Sequence, residues 1–297
     1  MIKSHQMANY EWIEAVEPTK SELNDELSKV NISKKYFNYM IDTYEEPRAT
    51  YDSSDNFGAI VIRALPIKVS SKTTTLPIFI GFNQTTLITV CHDSNQRGLA
   101  ADTNDISSLQ LRIMAILRSI VDNFFELLND MSKEAEGLEL SNRKVTNERL
   151  IAISDLKRKL VYLRSACEGN VIALEQFKAM LAEDDLKEIA TKENRQLVDD
   201  LIIEYRQCQN SFEIVSTVVS EFEDTFGNML NNRLNQTMQF LTVWSLLLAI
   251  PPIVSGFYGM NMFLPWAGSK LSWLGTVIFT LFLGGIMLWY LRKNKKL

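Results

Sequence analysis

Tyr258-Gly259-Met260-Asn261 closes one long uncharged stretch and opens a short loop into another. Arg233 is the last charged residue before it and Lys270 the next after it, and a second run without a charge extends from Leu271 to Leu291. A helix crosses a bilayer with about 20 mostly apolar residues, and both runs are long enough. Only the segment from Gly259 to Lys270 separates them. The pair reads as a helical hairpin, with the start of its first helix and the end of its second on one side of a membrane. Working outward gives an α+β membrane protein: an α/β domain over 1–105, a helical domain and stalk over 106–233, a first transmembrane helix over 234–258, an outer loop over 259–271, a second transmembrane helix over 272–291 and a basic tail over 292–297.

Composition supports this division. Residues before 234 are rich in charge, and the next 58 contain one charged residue, Lys270. The net charge of −5 is unusual for a nucleic-acid binder and suits a protein that handles cations. Cys91, Cys167 and Cys208 are scattered and look unpaired. An odd count of that kind fits a reducing compartment. Met1 to Tyr10 has no apolar core of signal-peptide length. Arg292, Lys293, Lys295 and Lys296 follow the second span directly. The positive-inside rule puts that end in the cytoplasm. The N-terminal domain is then cytoplasmic too, and the expected location is the plasma membrane.

Within residues 1–105, Pro18 to Val30 and Ser33 to Thr43 read as short helices and Gly58 to Leu65 as a buried strand. Leu76 to Phe82 and Thr86 to His92 flank Asn83-Gln84-Thr85 as a hairpin. From Ser107 the period becomes helical. Leu109, Ile113, Ile116, Leu117, Ile120, Phe124, Leu127 and Leu128 form one apolar stripe. A second helix is expected from about Thr146 to Met180, with a turn at Glu183-Asp184-Asp185. From about Leu186 no proline interrupts the chain until Pro251. This predicts one helix, on the order of 100 Å long, passing from stalk into membrane and packed in an oligomeric helical funnel.

Spacings of three and four through the first span select Asn235, Met238, Thr242, Ser245, Ala249, Pro252, Gly256 and Gly259, nearly all small or polar on an otherwise greasy helix. Two readings fit: close helix packing, which favours small residues in membranes, or the wall of a water-filled pore. Met238 and Leu241, near the inner end, suit a ring that closes by dewetting. His5 and His92 are the only histidines and lie far from each other in sequence, so a Cys/His zinc cage is not expected. No Gly-rich loop announces nucleotide binding. No nucleophile–base set suggests an enzyme.

Gly259-Met260-Asn261 at the end of the first of two C-terminal spans resembles the family mark of CorA-type divalent-cation channels. Asn232 to Met238 resembles that family's approach to the pore, and Leu156 to Arg164 and Ile120 to Leu128 its helical domain. The likeness is good over 106–297 and looser before. It implies a homopentamer in membrane lipid that conducts Mg2+, with Gly259, Met260 and Asn261 as the selectivity filter. Mg2+ holds its octahedral water shell tightly. A ring of Asn261 amide oxygens can accept hydrogen bonds from those waters without stripping them. Gly259 can leave the helix with positive φ.

Three features depart from the family pattern. Ala249 stands where a bulky apolar residue is common. Pro251-Pro252 should bend the span. The loop Met262 to Lys270 has no carboxylate. The resemblance further implies feedback by cytoplasmic Mg2+ at subunit interfaces, through Asp200, its neighbour Asp199 and the lower Asp224, with a partner acid near Asp93, Asp102 or Asp105. The rival view of these acids is a solvated helix face. Related proteins with Gly-x-Asn keep Zn2+, Co2+ and Ni2+ open as cargo. A membrane-anchored sensor or scaffold is the rival from another class.

Overall fold

Phe57-Gly58-Ala59-Ile60-Val61-Ile62 offers no polar side to water, and a strand of that kind must be covered on both faces. The computed structural model describes residues 1–30, 32–66, 68–70, 74–93, 108–140, 146–182, 186, 191–260 and 272–293. In chain order it holds β1 (Ile2–Gln6), β2 (Glu11–Val16), α1 (Lys20–Val30), α2 (Lys34–Ile41), β3 (Arg48–Asp52), β4 (Phe57–Ala64), β5 (Leu76–Phe82), β6 (Thr86–Cys91), α3 (Leu109–Leu140), α4 (Asn147–Met180), α5 (Lys192–Tyr258) and α6 (Ser272–Lys293). Two compact units emerge, Met1–Glu223 and Asp224–Leu297, and α5 belongs to both.

In the first unit six strands form one sheet in the order β1-β2-β6-β5-β4-β3. Only β2 and β6 run parallel; the other four pairings are antiparallel. One face presents Ile13, Ala15, Phe57, Ala59, Val61, Phe79, Ile88 and Val90 to Leu23 of α1 and Tyr36 and Met40 of α2. Tyr36 donates its hydroxyl to the Phe57 carbonyl at 3.1 Å. The other face meets α3 and α4. Phe82 packs edge-on to Phe177 of α4 at 6.0 Å, and the Arg112 guanidinium of α3 lies 4.8 Å over the Trp12 ring.

Side-chain amides fasten α4 to the sheet. Asn170, fully buried, accepts from the Arg63 amide and donates to the Arg63 carbonyl, both at 2.8 Å. Gln176 accepts from the Ala49 amide of edge strand β3 at 2.9 Å. An otherwise unpaired edge donor is thereby covered.

The expected strands at Gly58–Leu65, Leu76–Phe82 and Thr86–His92 are present as β4, β5 and β6, and Asn83 closes the hairpin by accepting from the Thr85 and Thr86 amides. The sequence reading did not resolve β1, β2 and β3. The two edge strands β1 and β3 are half-exposed along their length and carry little hydrophobic signal. Helix starts follow local chemistry. Thr19 and Glu22 exchange the reciprocal bonds of a capping box, which holds the Glu22 carboxyl below the usual range. Ser33 and Thr146 cap α2 and α4. The helix expected from about Leu186 begins instead at Lys192. Thr191 accepts from the Asn194 amide at 3.2 Å and so sets its first turn. The turn expected at Glu183-Asp184-Asp185 lies outside the described residues.

Candidate functional site

In the second unit the membrane-length parts of α5 and α6 bury almost nothing: 11% of the apolar window of α5 is buried and none of that of α6. Core helices of a water-soluble protein would be mostly buried. Here Leu248, Phe257, Leu281, Phe282 and Trp289 all stand exposed, as lipid-facing or copy-facing side chains do.

The hairpin has a defined inner side. Two clefts of about 530 and 430 Å³ separate the helices; α5 lines them with Ile250, Pro251, Ile253, Val254 and Ser255, and Gly259, just past its end, lines the first. Val254, and Val243 three turns earlier, are the buried residues of this stretch of α5. At 3.6 residues per turn, Val243 and Val254 lie roughly across the helix from Met238, Ser245, Ala249 and Gly256, with Asn235 and Thr242 on one flank. Those six and Pro252 are all exposed, Met238 at 64% and Leu241 at 58%. A Cβ on Gly256 would meet nothing within 4 Å. From Asn235 to Gly256 the stripe is therefore exposed rather than packed on α6, and packing within the hairpin does not account for it, whereas Gly259 beyond it lines the cleft shared with α6. Thr242 donates to the Met238 carbonyl at 2.8 Å, which leaves its oxygen lone pairs facing outward.

α5 continues through Pro251 and Pro252 to Tyr258. Two consecutive prolines remove two helical donors from the middle of the stripe. At the outer end the Gly259 amide is shared between the Ser255 carbonyl at 2.9 Å and the Gly256 carbonyl at 3.2 Å, and Met260 bonds to the Phe257 carbonyl at 3.4 Å. Gly259 does not use the left-handed backbone open to a glycine, and a Cβ there would make only ordinary contact, 3.4 Å from the Ser255 carbonyl. The absence of a side chain at Gly259 is thus not required by its own chain's backbone. Asn261 lies outside the described residues, as do Asp102 and Asp105.

The acids of α5 divide into two groups. Among the described residues four ion pairs join α4 to α5: Lys157–Glu223 at 2.6 Å, Arg164–Glu213 at 3.6 Å, Glu175–Arg206, and Lys178–Asp199 at 2.6 Å. Arg118 of α3 takes Glu204. Asp199 is therefore committed to Lys178 of its own chain. Its neighbour Asp200 points to the exposed side of α5, as does Asp224. The two adjacent carboxylates of the sequence are inequivalent, and Asp200 is the one left to meet something outside the chain. Asp93 lies in the bend that follows β6 and is half-buried. Among the described residues no three of His, Cys, Asp and Glu converge on one point.

Two groupings escaped the sequence reading. Cys167 and Cys208 looked scattered, yet α4 and α5 bring their sulfurs within 3.8 Å. Arg112 is fully buried and donates Nε to the Tyr10 hydroxyl, 102 residues away. Neither has a local signal, because each depends on which helix meets which.

With this geometry in place, the chain can be set beside known proteins. The family model described as CorA-like Mg2+ transporter protein matches residues 8–293. The protein named cobalt/magnesium transport protein CorA of Methanocaldococcus jannaschii is 26% identical over 274 residues, which is 87% of this chain and 82% of that one. The complete structure of the CorA magnesium transporter from the same organism superposes with a TM-score of 0.82 at 22% identity, over 98% of this chain and 92% of that one. The full-length CmaX protein superposes with a TM-score of 0.72 at 13% identity, over 94% and 89%. These likenesses cover the N-terminal α/β domain, the long helix and the C-terminal apolar helix alike.

Proposed function

The chain belongs to the CorA-like Mg2+ transporter family, and we propose that it is a homopentameric channel through which hydrated Mg2+ passes down its electrochemical gradient across the plasma membrane. The observation that carries the reading is the small, weakly polar stripe of α5, exposed from Asn235 to Gly256 rather than packed on α6 and followed by Gly259-Met260. Set around an axis, five such stripes make a narrow wall of hydroxyl, amide and backbone oxygens. Asn261, next in sequence, supplies a ring of neutral oxygens at the outer mouth. Gly259, with no side chain beside it, lets that ring approach the axis. Neutral acceptors suit a strongly hydrated ion: they bind its waters weakly enough for release, as conduction needs.

The parts of the chain then take these roles. Residues 1–105 and 106–233 form the cytoplasmic body and stalk, 234–258 the pore-lining helix, 259–271 the outer loop and 272–291 the second span. Arg292 and Lys293 end α6, and Lys293 lies 5.1 Å over the Trp289 ring. This basic, aromatic end suits the cytoplasmic membrane surface. Met238 and Leu241 form the inner constriction. Entry is favoured by an inside-negative potential, about 2.3 kcal/mol per elementary charge per 100 mV.

Cytoplasmic Mg2+ acts as the regulatory ligand at Asp200, with Asp224 lower on the same helix. Exposed carboxylates repel one another across a subunit interface when empty and are bridged when Mg2+ binds. That difference in affinity is what shifts a closed–open equilibrium. Asp199 supports the helix through Lys178 instead. Co2+ is the second cargo, favoured by the name that the Methanocaldococcus relative carries.

Liposomes holding the purified full-length protein test the reading. Mg2+ influx that rises with an inside-negative potential and is competed by external Co2+ is expected. Influx of Zn2+ or Ni2+ with none of Mg2+ would move the cargo elsewhere. No flux of any divalent ion in a folded oligomer would leave the hairpin as a membrane anchor.

A further inference from the structure

Cys167 of α4 and Cys208 of α5 are free and fully buried, with their Sγ atoms 3.8 Å apart. We propose that they are an intrachain disulfide site, at which oxidation by hydrogen peroxide fastens α5 to α4. A disulfide brings sulfurs to about 2.05 Å. Closing the remaining gap takes less than 2 Å of movement, shared between two side chains. The pair sits between the Arg164–Glu213 and Glu175–Arg206 bridges, in the same antiparallel register. The bond therefore forms without one helix sliding past the other. Cys91, also free and buried, belongs to β6 and not to either helix.

The reaction balances with peroxide as the two-electron oxidant. One thiolate attacks a peroxide oxygen, giving a sulfenic acid and, after protonation, water. The second thiol attacks that sulfur, the S–S bond forms and a second water leaves. A small dithiol returns both electrons and both protons. Burial, with the neighbouring Cys208 thiol adding to it, pushes the Cys167 thiol well above its ordinary value. Thiolate is therefore scarce while the helices are packed. The site stays quiet until α4 and α5 part enough to admit the oxidant, and the bond then holds them in the packed arrangement. Because α5 runs on to Tyr258, the bond also constrains the helix that lines the proposed ion pathway; this last consequence rests on the transport reading.

The experiment uses the full chain in detergent on a Cys91→Ser background. After hydrogen peroxide treatment, peptide mass analysis is expected to find Cys167 joined to Cys208 within one chain, reversed by dithiothreitol and lost in Cys167→Ser and Cys208→Ser. Amide exchange along the part of α5 around Cys208 should slow at least about tenfold in the oxidised protein alone. In liposomes, flux should fall on oxidation and return with dithiothreitol, while Cys208→Ser keeps its flux under peroxide. Both thiols remaining free to alkylation, or bonds formed between chains, would overturn the site. A complete bond with unchanged exchange would overturn the fastening, and one with unchanged flux the coupling to transport. A reduced protein with no flux counts against the transport reading, and bond and exchange still decide the site.

Discussion

Phe57, Phe79, Phe82, Phe124 and Phe212 of the unit from Met1 to Glu223 are buried, whereas Phe240, Phe257, Phe279 and Phe282 of the unit from Asp224 to Leu297 are more than half exposed. The same side chain meets protein in one region and the surroundings in the other. The first unit covers its sheet on both faces, ties α4 to β4 with the buried Asn170 amide and to β3 with Gln176, and joins α4 to α5 with ion pairs. The second is a hairpin whose apolar faces its own chain leaves exposed, and whose small, weakly polar residues from Asn235 to Gly256 are not packed on the other helix. Under the proposed function, that uncovered stripe is what other copies of the chain complete.

That contrast can be broken by substitution. Phe82→Ala removes the ring that packs on Phe177 and lies against Gly58, and should cost about 3–5 kcal/mol in chemical unfolding of the solubilised protein. Phe282→Ala should stay within about 0.5 kcal/mol. Equal costs would mean that the hairpin has a core of its own. The next effect is regulatory. Asp200→Ala should raise the internal Mg2+ that halves influx by roughly tenfold, with the unfolding midpoint unchanged. An unaltered inhibition curve removes Asp200 from the sensor. Smallest is Asp199→Asn, which breaks the exposed pair with Lys178. It should cost under about 1 kcal/mol and leave Mg2+ inhibition as it was. If Asp199→Asn relieves inhibition as strongly as Asp200→Ala, the division between paired and free carboxylates is wrong.

The hairpin and the central strands were legible because each is a long run of one character: Leu234 to Tyr258 without a charge, Phe57 to Ile62 without a polar face. The start of α5 was misplaced by six residues because a single cap, Thr191, outweighs the helical composition before it. The parallel pairing of β2 with β6 was not legible, since it joins segments about 75 residues apart with no shared local pattern. In the candidate site the stripe could be read from spacing, but the direction it faces could not. That depends on which side of α5 receives α6, and Val243 and Val254 decide it. Asp199 and Asp200 are alike as sequence and separate only when Lys178 is brought to one of them. The Cys167–Cys208 contact arises in the same way, from the register of two helices.

The most direct test of the central claim is Mg2+ influx into liposomes for the wild-type chain beside Asn261→Ala, with internal Mg2+ varied. The account predicts wild-type influx that declines as internal Mg2+ rises, and influx at background for Asn261→Ala in an oligomer of unchanged size. Asn261→Ala protein that passes Mg2+ as the wild type does would contradict it.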